Sequence, residues 1–159
     1  MITLVLGGAR SGKSEVAERL MGEGQATYVA TGIASDDGMA ARIAAHRERR
    51  PKAWATVEEP GTALASVLMN LEGPTLVDSL TTWLAAAPEF AVDADALCAA
   101  LLKRDGDTVV VSDEVGLGVH PSTDAGNRFR DALGILNQQV AAAADEVVLV
   151  VAGRTLRLT

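Results

Sequence analysis

The chain has few of the residues that build disulfide scaffolds, membrane spans and base-stacking surfaces. Its 159 residues include one cysteine, Cys98, so an intrachain disulfide cannot form. Two tryptophans, two phenylalanines and one tyrosine are too few for an aromatic platform that binds single-stranded nucleic acid. No apolar run reaches the length of a membrane-spanning helix, and no basic segment followed by a long apolar stretch begins the chain. We therefore expect a cytoplasmic protein without a membrane span.

The net charge, the two histidines and a missing motif exclude further classes of protein. The formal net charge is −7, which argues against a general nucleic-acid-binding surface, so any phosphate chemistry must depend on local cations. One cysteine and two distant histidines cannot supply a zinc site. The sequence lacks the Gly-x-Ser-x-Gly pattern of many serine hydrolases. His120 lies in a loop without nucleophilic or metal-binding neighbours, so we expect a surface or packing residue.

Short Val-, Leu- and Ile-rich runs alternate with longer alanine-rich segments, which predicts an α/β fold with a mostly parallel sheet and helices on both faces. The length fits a single domain, 1–159. The predicted strands span 2–6, 26–30, 53–57, 74–77, 107–112 and 146–152, with a short last strand at 154–158. The predicted helices span 13–23, 36–49, 62–70, 79–86, 93–103 and 124–143, with Asp36, Thr62 and Asp93 as N-caps.

Residues that follow the first predicted strand fit the phosphate-loop pattern G-x-x-x-x-G-K-[ST]. They are Gly7, Gly8, Ala9, Arg10, Ser11, Gly12, Lys13 and Ser14. Glycines let backbone N–H groups surround an anion at the N-terminus of the next helix. Lys13 can bridge terminal phosphates during catalysis, and the Ser14 hydroxyl can ligate Mg²⁺. The alternative, a glycine-rich turn without a ligand, is disfavoured because the full pattern lies between a strand and a helix.

Carboxylates end two of the predicted strands. Asp78 follows one apolar run, and Asp113 and Glu114 follow another. The carboxyl ends of parallel strands line the crevice that holds phosphates, so an acid there can hold Mg²⁺ directly or through water. Helix capping or turn formation is the other role open to each acid.

The segment 42–51 concentrates four arginines around one histidine. On a helix, Arg42, His46 and Arg50 share one face because they are four residues apart, and Arg47 lies beside them. Guanidinium groups suit phosphate oxygens, so a polyphosphate is the expected ligand. The surrounding positive charge favours a neutral imidazole, which can attack phosphorus. A solvated basic helix whose histidine has no chemical role is the alternative.

These motifs, in this order, resemble the bifunctional adenosylcobinamide kinase/adenosylcobinamide-phosphate guanylyltransferase family of cobalamin biosynthesis, over nearly the whole chain. The matching segments are the phosphate loop, Tyr28-Val29-Ala30-Thr31-Gly32, Met39-Ala40-Ala41-Arg42-Ile43, His46-Arg47-Glu48-Arg49-Arg50-Pro51, Trp54-Ala55-Thr56-Val57-Glu58, Asp78-Ser79-Leu80-Thr81-Thr82-Trp83, Glu114-Val115-Gly116-Leu117-Gly118, and Phe129-Arg130-Asp131 followed by Gly134 and Asn137-Gln138. The resemblance implies a P-loop NTPase with a RecA-like sheet, and a homo-oligomer, most simply a homotrimer.

The resemblance also implies two reactions. Adenosylcobinamide is phosphorylated with ATP or GTP, and GMP then passes from GTP to adenosylcobinamide phosphate through a guanylyl-histidine, for which motif matching selects His46. Nucleotide contacts are implied for the phosphate loop and for Ala30, Thr31, Gly32, Arg47, Glu48, Arg49, Arg50, Glu58 and Asp78. Ser14, Asp78 and Glu114 are the implied Mg²⁺ residues. The guanine-recognition motif N-K-x-D of GTPases is absent from the sequence, so base selection needs other residues.

The chain departs from the family pattern in places. The segment between Trp83 and Asp93 is short, Asp113 stands where the family more often has Asn, and Asp78 where a relative can carry Glu. Two other functions remain open from the residues: a single-activity small-molecule kinase in which His46 only binds phosphate, and a binding protein switched by GTP.

Overall fold

The computed structural model describes residues 1–32, 48 and 50–158. The strands of these residues are β1 Ile2–Gly7, β2 Thr27–Ala30, β3 Ala55–Glu58, β4 Thr75–Asp78, β5 Thr108–Asp113, β6 Glu146–Val151 and β7 Arg154–Leu158. They form one seven-stranded sheet in the order β3-β2-β4-β5-β1-β6-β7. Every neighbouring pair is parallel except the antiparallel pair β6–β7. The carboxyl ends of the six parallel strands, β1 to β6, therefore lie along one edge of the sheet, which we call the carboxyl edge.

Helices cover both faces of this sheet. Within the described residues they are α1 Lys13–Met21, α2 Leu64–Met69, α3 Leu80–Ala86, α4 Ala94–Lys103 and α5 Asp124–Ala143, with a short 3₁₀ turn at Pro88–Phe90. None of these helices combines the length and the apolar character that crossing a membrane requires. The predicted α/β fold, a mostly parallel sheet with helices on both faces, is confirmed.

The central strand β1 is buried along its whole length and divides the core in two. Leu4 and Leu6 pack with helices α2 to α5, among whose residues Leu133 is fully buried. Val5 points to the other face and packs with Val16 of α1. Each such side chain contributes roughly 1.5–3 kcal/mol by leaving water. This burial fixes the strand that leads into the phosphate loop.

Two of the predicted helix N-caps lie in the described residues, and the structure confirms one of them. The Asp93 carboxylate accepts a hydrogen bond from the Ala96 N–H (2.9 Å), so this predicted N-cap is confirmed. The prediction for Thr62 is wrong, because α2 begins at Leu64. The Glu59 carboxylate accepts hydrogen bonds from the backbone N–H groups that precede α2, at Gly61 (3.0 Å) and Ala63 (3.2 Å). The predicted helix 36–49 and its Asp36 cap lie outside the described residues, apart from helical Glu48.

The short connection between α3 and α4 is held against α5. The Phe90 ring meets the Phe129 ring edge-on, with 5.2 Å between centroids. Glu89 forms an ion pair with Arg128 on the same side. The shortened segment is thus a packed turn on the helix that follows β5.

Candidate active site

The phosphate loop joins the end of β1 to the start of α1 through two left-handed residues. Arg10 has φ 55° and Gly12 has φ 92°. The Ser11 N–H donates to the Gly8 carbonyl (3.2 Å), which closes the turn. Gly12 occupies the N-cap position of α1 and provides no side-chain cap. The first N–H groups of this helix are therefore available to an anion, which the helix dipole also favours.

Two close approaches explain the glycines at the base of this loop. A Cβ on Gly7 would lie 2.4 Å from the Ser11 hydroxyl oxygen and 2.8 Å from the Val150 carbonyl oxygen. A Cβ on Gly12 would lie 3.3 Å from the Cα of Gly153. The Gly153 N–H donates to the Ser11 carbonyl at 2.8 Å. The β6–β7 turn thus supports the phosphate loop, a role that the sequence analysis did not identify.

Lys13 is held between the loop and β5. Its ammonium donates to the Gly8 carbonyl (3.3 Å) and forms an ion pair with the Asp113 carboxylate, with 2.5 Å between Nζ and Oδ1. The two side chains are 14% and 25% exposed. Gly7 lies opposite Asp113 in the β1–β5 register. Asp113 is one of the strand-end acids of the sequence, but the expected metal residues are Ser14, Asp78 and Glu114 instead. Knowing that β1 and β5 are neighbours would have selected Asp113.

The other strand-end acids make different contacts. Asp78 accepts a hydrogen bond from the Tyr28 hydroxyl at 2.8 Å. The backbone N–H of Glu114 donates to the Gly7 carbonyl (3.1 Å), whereas its carboxylate accepts from the Gly116 N–H (2.6 Å). The structure therefore brings the Glu114 backbone to the loop and turns its carboxylate toward the following loop. Ser14 is half-buried in the first turn of α1.

These oxygen donors fit Mg²⁺ in kind. Hydroxyl and carboxylate oxygens are its usual protein ligands, and substrate phosphates and water complete the coordination. Among the residues that the structure describes, no group of three or more His, Cys, Asp and Glu could hold a metal ion.

Tyr28 connects Asp78 to the end of the basic segment. The guanidinium carbon of Arg50 lies 3.7 Å from the centroid of the Tyr28 ring, and Arg50 also donates to the Thr56 hydroxyl (3.1 Å). Burial raises the pKa of Tyr28 above its ordinary value, and the neighbouring Asp78 carboxylate raises it further. Tyr28 is therefore a neutral hydrogen-bond donor at physiological pH.

Three of the expected nucleotide residues lie side by side at the carboxyl edge. In the sheet register, Ala30 is paired with Glu58 on one side and with Asp78 on the other. A cleft of about 380 Å³ opens beside them. It is lined by Arg50, Pro51, Lys52, Trp54, Thr56 and Glu58. The cleft follows β3 to its carboxyl end at Glu58 and is bounded by an aromatic residue, cations and one carboxylate.

Thr31 and Gly32 lie against the start of α3. The Thr31 hydroxyl donates to the Ser79 carbonyl (2.6 Å) and accepts from the Ser79 N–H (2.8 Å). It also lies 2.6 Å from the Thr82 hydroxyl. A Cβ on Gly32 would lie 3.4 Å from Thr82 Cγ2. The side chain of Thr31 thus ties β2 to α3.

The remaining expected residues divide into described and undescribed positions. Glu48 is exposed. His46, Arg47 and Arg49 lie outside the described residues. His120 is on the surface, as expected, with its Nδ1 2.8 Å from the Pro121 carbonyl oxygen.

Known proteins include a family and a solved structure to which this chain is similar. The sequence profile of the family described as "Cobinamide kinase / cobinamide phosphate guanyltransferase" matches residues 3–158. Among solved structures, the "P4 protein from bacteriophage phi6 in complex with ADP" is similar over 98% of this chain and 53% of its own, with 15% identity and a TM-score of 0.46.

Curated relatives match over almost their whole length. The "Bifunctional adenosylcobalamin biosynthesis protein CobU" of Escherichia coli is 41% identical over 96% of this chain and 97% of its own. The corresponding protein CobP of Pseudomonas aeruginosa is 40% identical, with 99% and 97% covered. CobU of Salmonella typhimurium is 39% identical, with 96% and 97% covered. On the family profile and these three relatives, the chain belongs to the cobinamide kinase / cobinamide phosphate guanyltransferase family.

Proposed function

We propose that this member of the family performs its two reactions in sequence at the Lys13 site. It first transfers a phosphoryl group from ATP or GTP to the aminopropanol hydroxyl of adenosylcobinamide. It then transfers GMP from GTP to adenosylcobinamide phosphate, which gives adenosylcobinamide-GDP and pyrophosphate. The observation that supports this best is the half-buried Lys13 ammonium at the N-terminus of α1, beside the turn that Arg10 and Gly12 form.

In the phosphoryl transfer, the chain's own groups bind phosphate and offset charge. The N–H groups at the start of α1 and the Lys13 ammonium face the anion, and they stabilise the charge that develops on the phosphoryl oxygens. Ser14, with Asp78 or Glu114 acting directly or through water, would hold Mg²⁺. When bound, that ion neutralises phosphate charge.

In the guanylyl transfer, His46 is the proposed nucleophile. Its neutral imidazole attacks the α-phosphorus of GTP, a P–N bond forms, and the bond to the pyrophosphate leaving group breaks. A phosphate oxygen of adenosylcobinamide phosphate then attacks the same phosphorus and releases the imidazole. Arg47, Arg49 and Arg50 are the proposed cations for this step. Of these three, Arg50 lies beside β2, where its guanidinium stacks on the Tyr28 ring.

Glu58 is the proposed contact to the nucleotide base or ribose on the other side of the edge. It ends β3 beside the cleft of about 380 Å³, and a carboxylate there can accept hydrogen bonds from guanine N–H groups. Asp78 is the alternative for the same contact.

We also propose that one domain, 1–159, carries both activities, that the enzyme is a cytoplasmic homotrimer without a membrane span, and that it does not bind nucleic acid. Family resemblance supports the trimer, and the net charge of −7 supports the absence of nucleic acid. Multi-angle light scattering of the purified protein measures the oligomeric state.

A labelling experiment tests the covalent step. The protein is incubated with GTP that carries label on the α-phosphorus and is then denatured, and acid-labile label is expected on the chain. His46→Ala is expected to remove the label and guanylyl transfer while retaining kinase activity. His120→Ala is the matched control, since this exposed histidine should be dispensable.

Product analysis separates this function from a single-activity kinase. With adenosylcobinamide and GTP, the proposal requires both the phosphorylated and the GDP-linked product. Formation of the phosphorylated product alone, without labelled protein, would leave the chain a kinase in which His46 only binds phosphate.

A further inference from the structure

Asp113 forms an ion pair with the Lys13 ammonium, which is the cation that the phosphate loop needs to bind a phosphate. The two charged groups are 2.5 Å apart and mostly shielded from water, with side-chain exposures of 14% and 25%. An ion pair with this exposure is screened less than a surface pair, so its strength bears on any ligand that needs the same ammonium. A nucleotide phosphate is such a ligand.

Asp113 is anchored so that its carboxylate stays at this position. Its backbone N–H donates to the Thr81 hydroxyl of α3 (2.8 Å), and its carbonyl accepts from the side-chain amide of Asn137 in α5 (3.1 Å). Asn137 is itself buried, with 6% exposure. Helices α3 and α5 thus fix the backbone at the end of β5 by two hydrogen bonds, and Lys13 has the more flexible side chain of the pair.

We infer that Asp113 is an exchangeable counter-ion for Lys13, which positions the ammonium when the loop holds no phosphate and competes with phosphate for it. The inference rests on the proposed function in one respect, namely that Lys13 binds nucleotide phosphates. An ammonium has three donors but one charge, so a phosphate that recruits Lys13 loosens its pair with Asp113. Asp113 therefore weakens the binding of nucleotide and of pyrophosphate, and it favours the release of the latter.

Binding measurements without Mg²⁺ test this inference, because they exclude any effect of Asp113 on a metal. Asp113→Asn keeps the shape of the side chain and removes the charge. We expect it to bind GTP and inorganic pyrophosphate about fivefold to tenfold more tightly by isothermal titration calorimetry, on the order of one partly buried ion pair.

Asp107→Asn is the matched control. It makes the same change in net charge at an exposed acid that pairs with the N-terminal ammonium. Asp107 precedes β5 and so lies at the opposite edge of the sheet. Its GTP and pyrophosphate affinities should equal those of the unaltered chain. Asp113→Ser is the second variant, for use if Asp113→Asn does not fold.

The outcomes separate the inference from the proposed function. Unchanged or weaker binding by folded Asp113→Asn or Asp113→Ser would overturn the inference, as would an equal gain in Asp107→Asn. Lys13→Met, titrated in parallel, should bind GTP at least tenfold more weakly. If Lys13→Met binds GTP as tightly as the unaltered chain, the proposed role of Lys13 itself fails.

Discussion

Two partly buried cations at opposite edges of the same sheet are held by different kinds of partner. Arg104 follows α4 and lies where β4 and β5 begin. It donates to the carbonyls of Leu71 (3.3 Å) and Gly73 (2.9 Å) and to the hydroxyl of Thr75 (2.7 Å). Lys13 lies at the carboxyl edge, where its main partner is the Asp113 carboxylate.

The difference shows how the same sheet uses a cation for structure and for chemistry. Burial lowers the pKa of Arg104 from its ordinary value, but a guanidinium stays charged. Its two terminal nitrogens donate to neutral acceptors in one loop and in β4 and β5, whereas its buried Nε has no hydrogen-bond partner among the described residues. A phosphate would have to break several of these bonds to bind there. At Lys13 an incoming phosphate replaces one anion by another, which costs far less.

The largest expected effect is on catalysis, at Lys13. Lys13→Met should lower kcat of both transfers by about 10²–10³-fold, the usual loss when one group that stabilises transition-state charge is removed. Its unfolding free energy should fall by only about 1 kcal/mol, because Asp113 loses its partner at a position that is still 25% exposed. Steady-state assays with adenosylcobinamide and GTP, with chemical denaturation in parallel, provide both values.

Arg104 should show the reverse pattern. Arg104→Met leaves the Leu71 carbonyl without this donor and the Gly73 carbonyl with only the Thr75 hydroxyl (3.3 Å), and it should lower the free energy of unfolding by about 2–4 kcal/mol. At a temperature where the variant is folded, kcat should stay within about twofold of the original. A large loss of activity by folded Arg104→Met would end the distinction between the two cations.

Gly7 tests whether the shape of the loop matters separately from its charge. Gly7→Ala places a Cβ within 3 Å of both Ser11 and the Val150 carbonyl, so it should destabilise the fold by about 1–3 kcal/mol and weaken GTP binding. Gly8→Ala is the matched control for folding, because its Cβ would meet nothing within 4 Å. Thermal unfolding of the two variants should therefore differ, and equal melting temperatures would contradict the packing argument.

Tyr28 should give the smallest effect. Tyr28→Phe removes the hydrogen bond to Asp78 but keeps the ring beneath Arg50, so the loss should be about 1 kcal/mol of stability. Tyr28→Leu also removes the aromatic face and should cost more, both in stability and in any reaction that needs the basic segment. If the two variants behave alike in unfolding and in guanylyl transfer, the Arg50 contact has no energetic weight.

The sheet and the phosphate loop could be predicted because their signals are local. A run such as Ile2 to Leu6 is apolar except for Thr3, as expected of a strand that is buried on both faces, and the loop pattern is contiguous in sequence. The family motifs added the reactions. The predicted N-cap at Thr62 was wrong although caps are local features, because the more distant Glu59 carboxylate binds the backbone that precedes α2.

The contacts within the site depend on which strands are neighbours, and a single sequence does not contain that information. Asp113 and Glu114 are adjacent in the chain and both end the same apolar run. Only the β1–β5 register gives Asp113 the ion pair with Lys13, whereas the Glu114 carboxylate turns toward Gly116. The support of Ser11 by Gly153 is equally remote in sequence. In each case the contact could not be predicted because the sequence does not give the order of the strands in the sheet.

Mass spectrometry of the guanylylated chain tests the central claim most directly, namely that the phosphate loop presents GTP to His46. After incubation with GTP, digestion with trypsin at mildly alkaline pH should yield the peptide of residues 43–47 carrying one GMP on His46. The same treatment of Lys13→Met should give little of this adduct. An adduct on another residue, or one formed equally well without Lys13, would contradict the account.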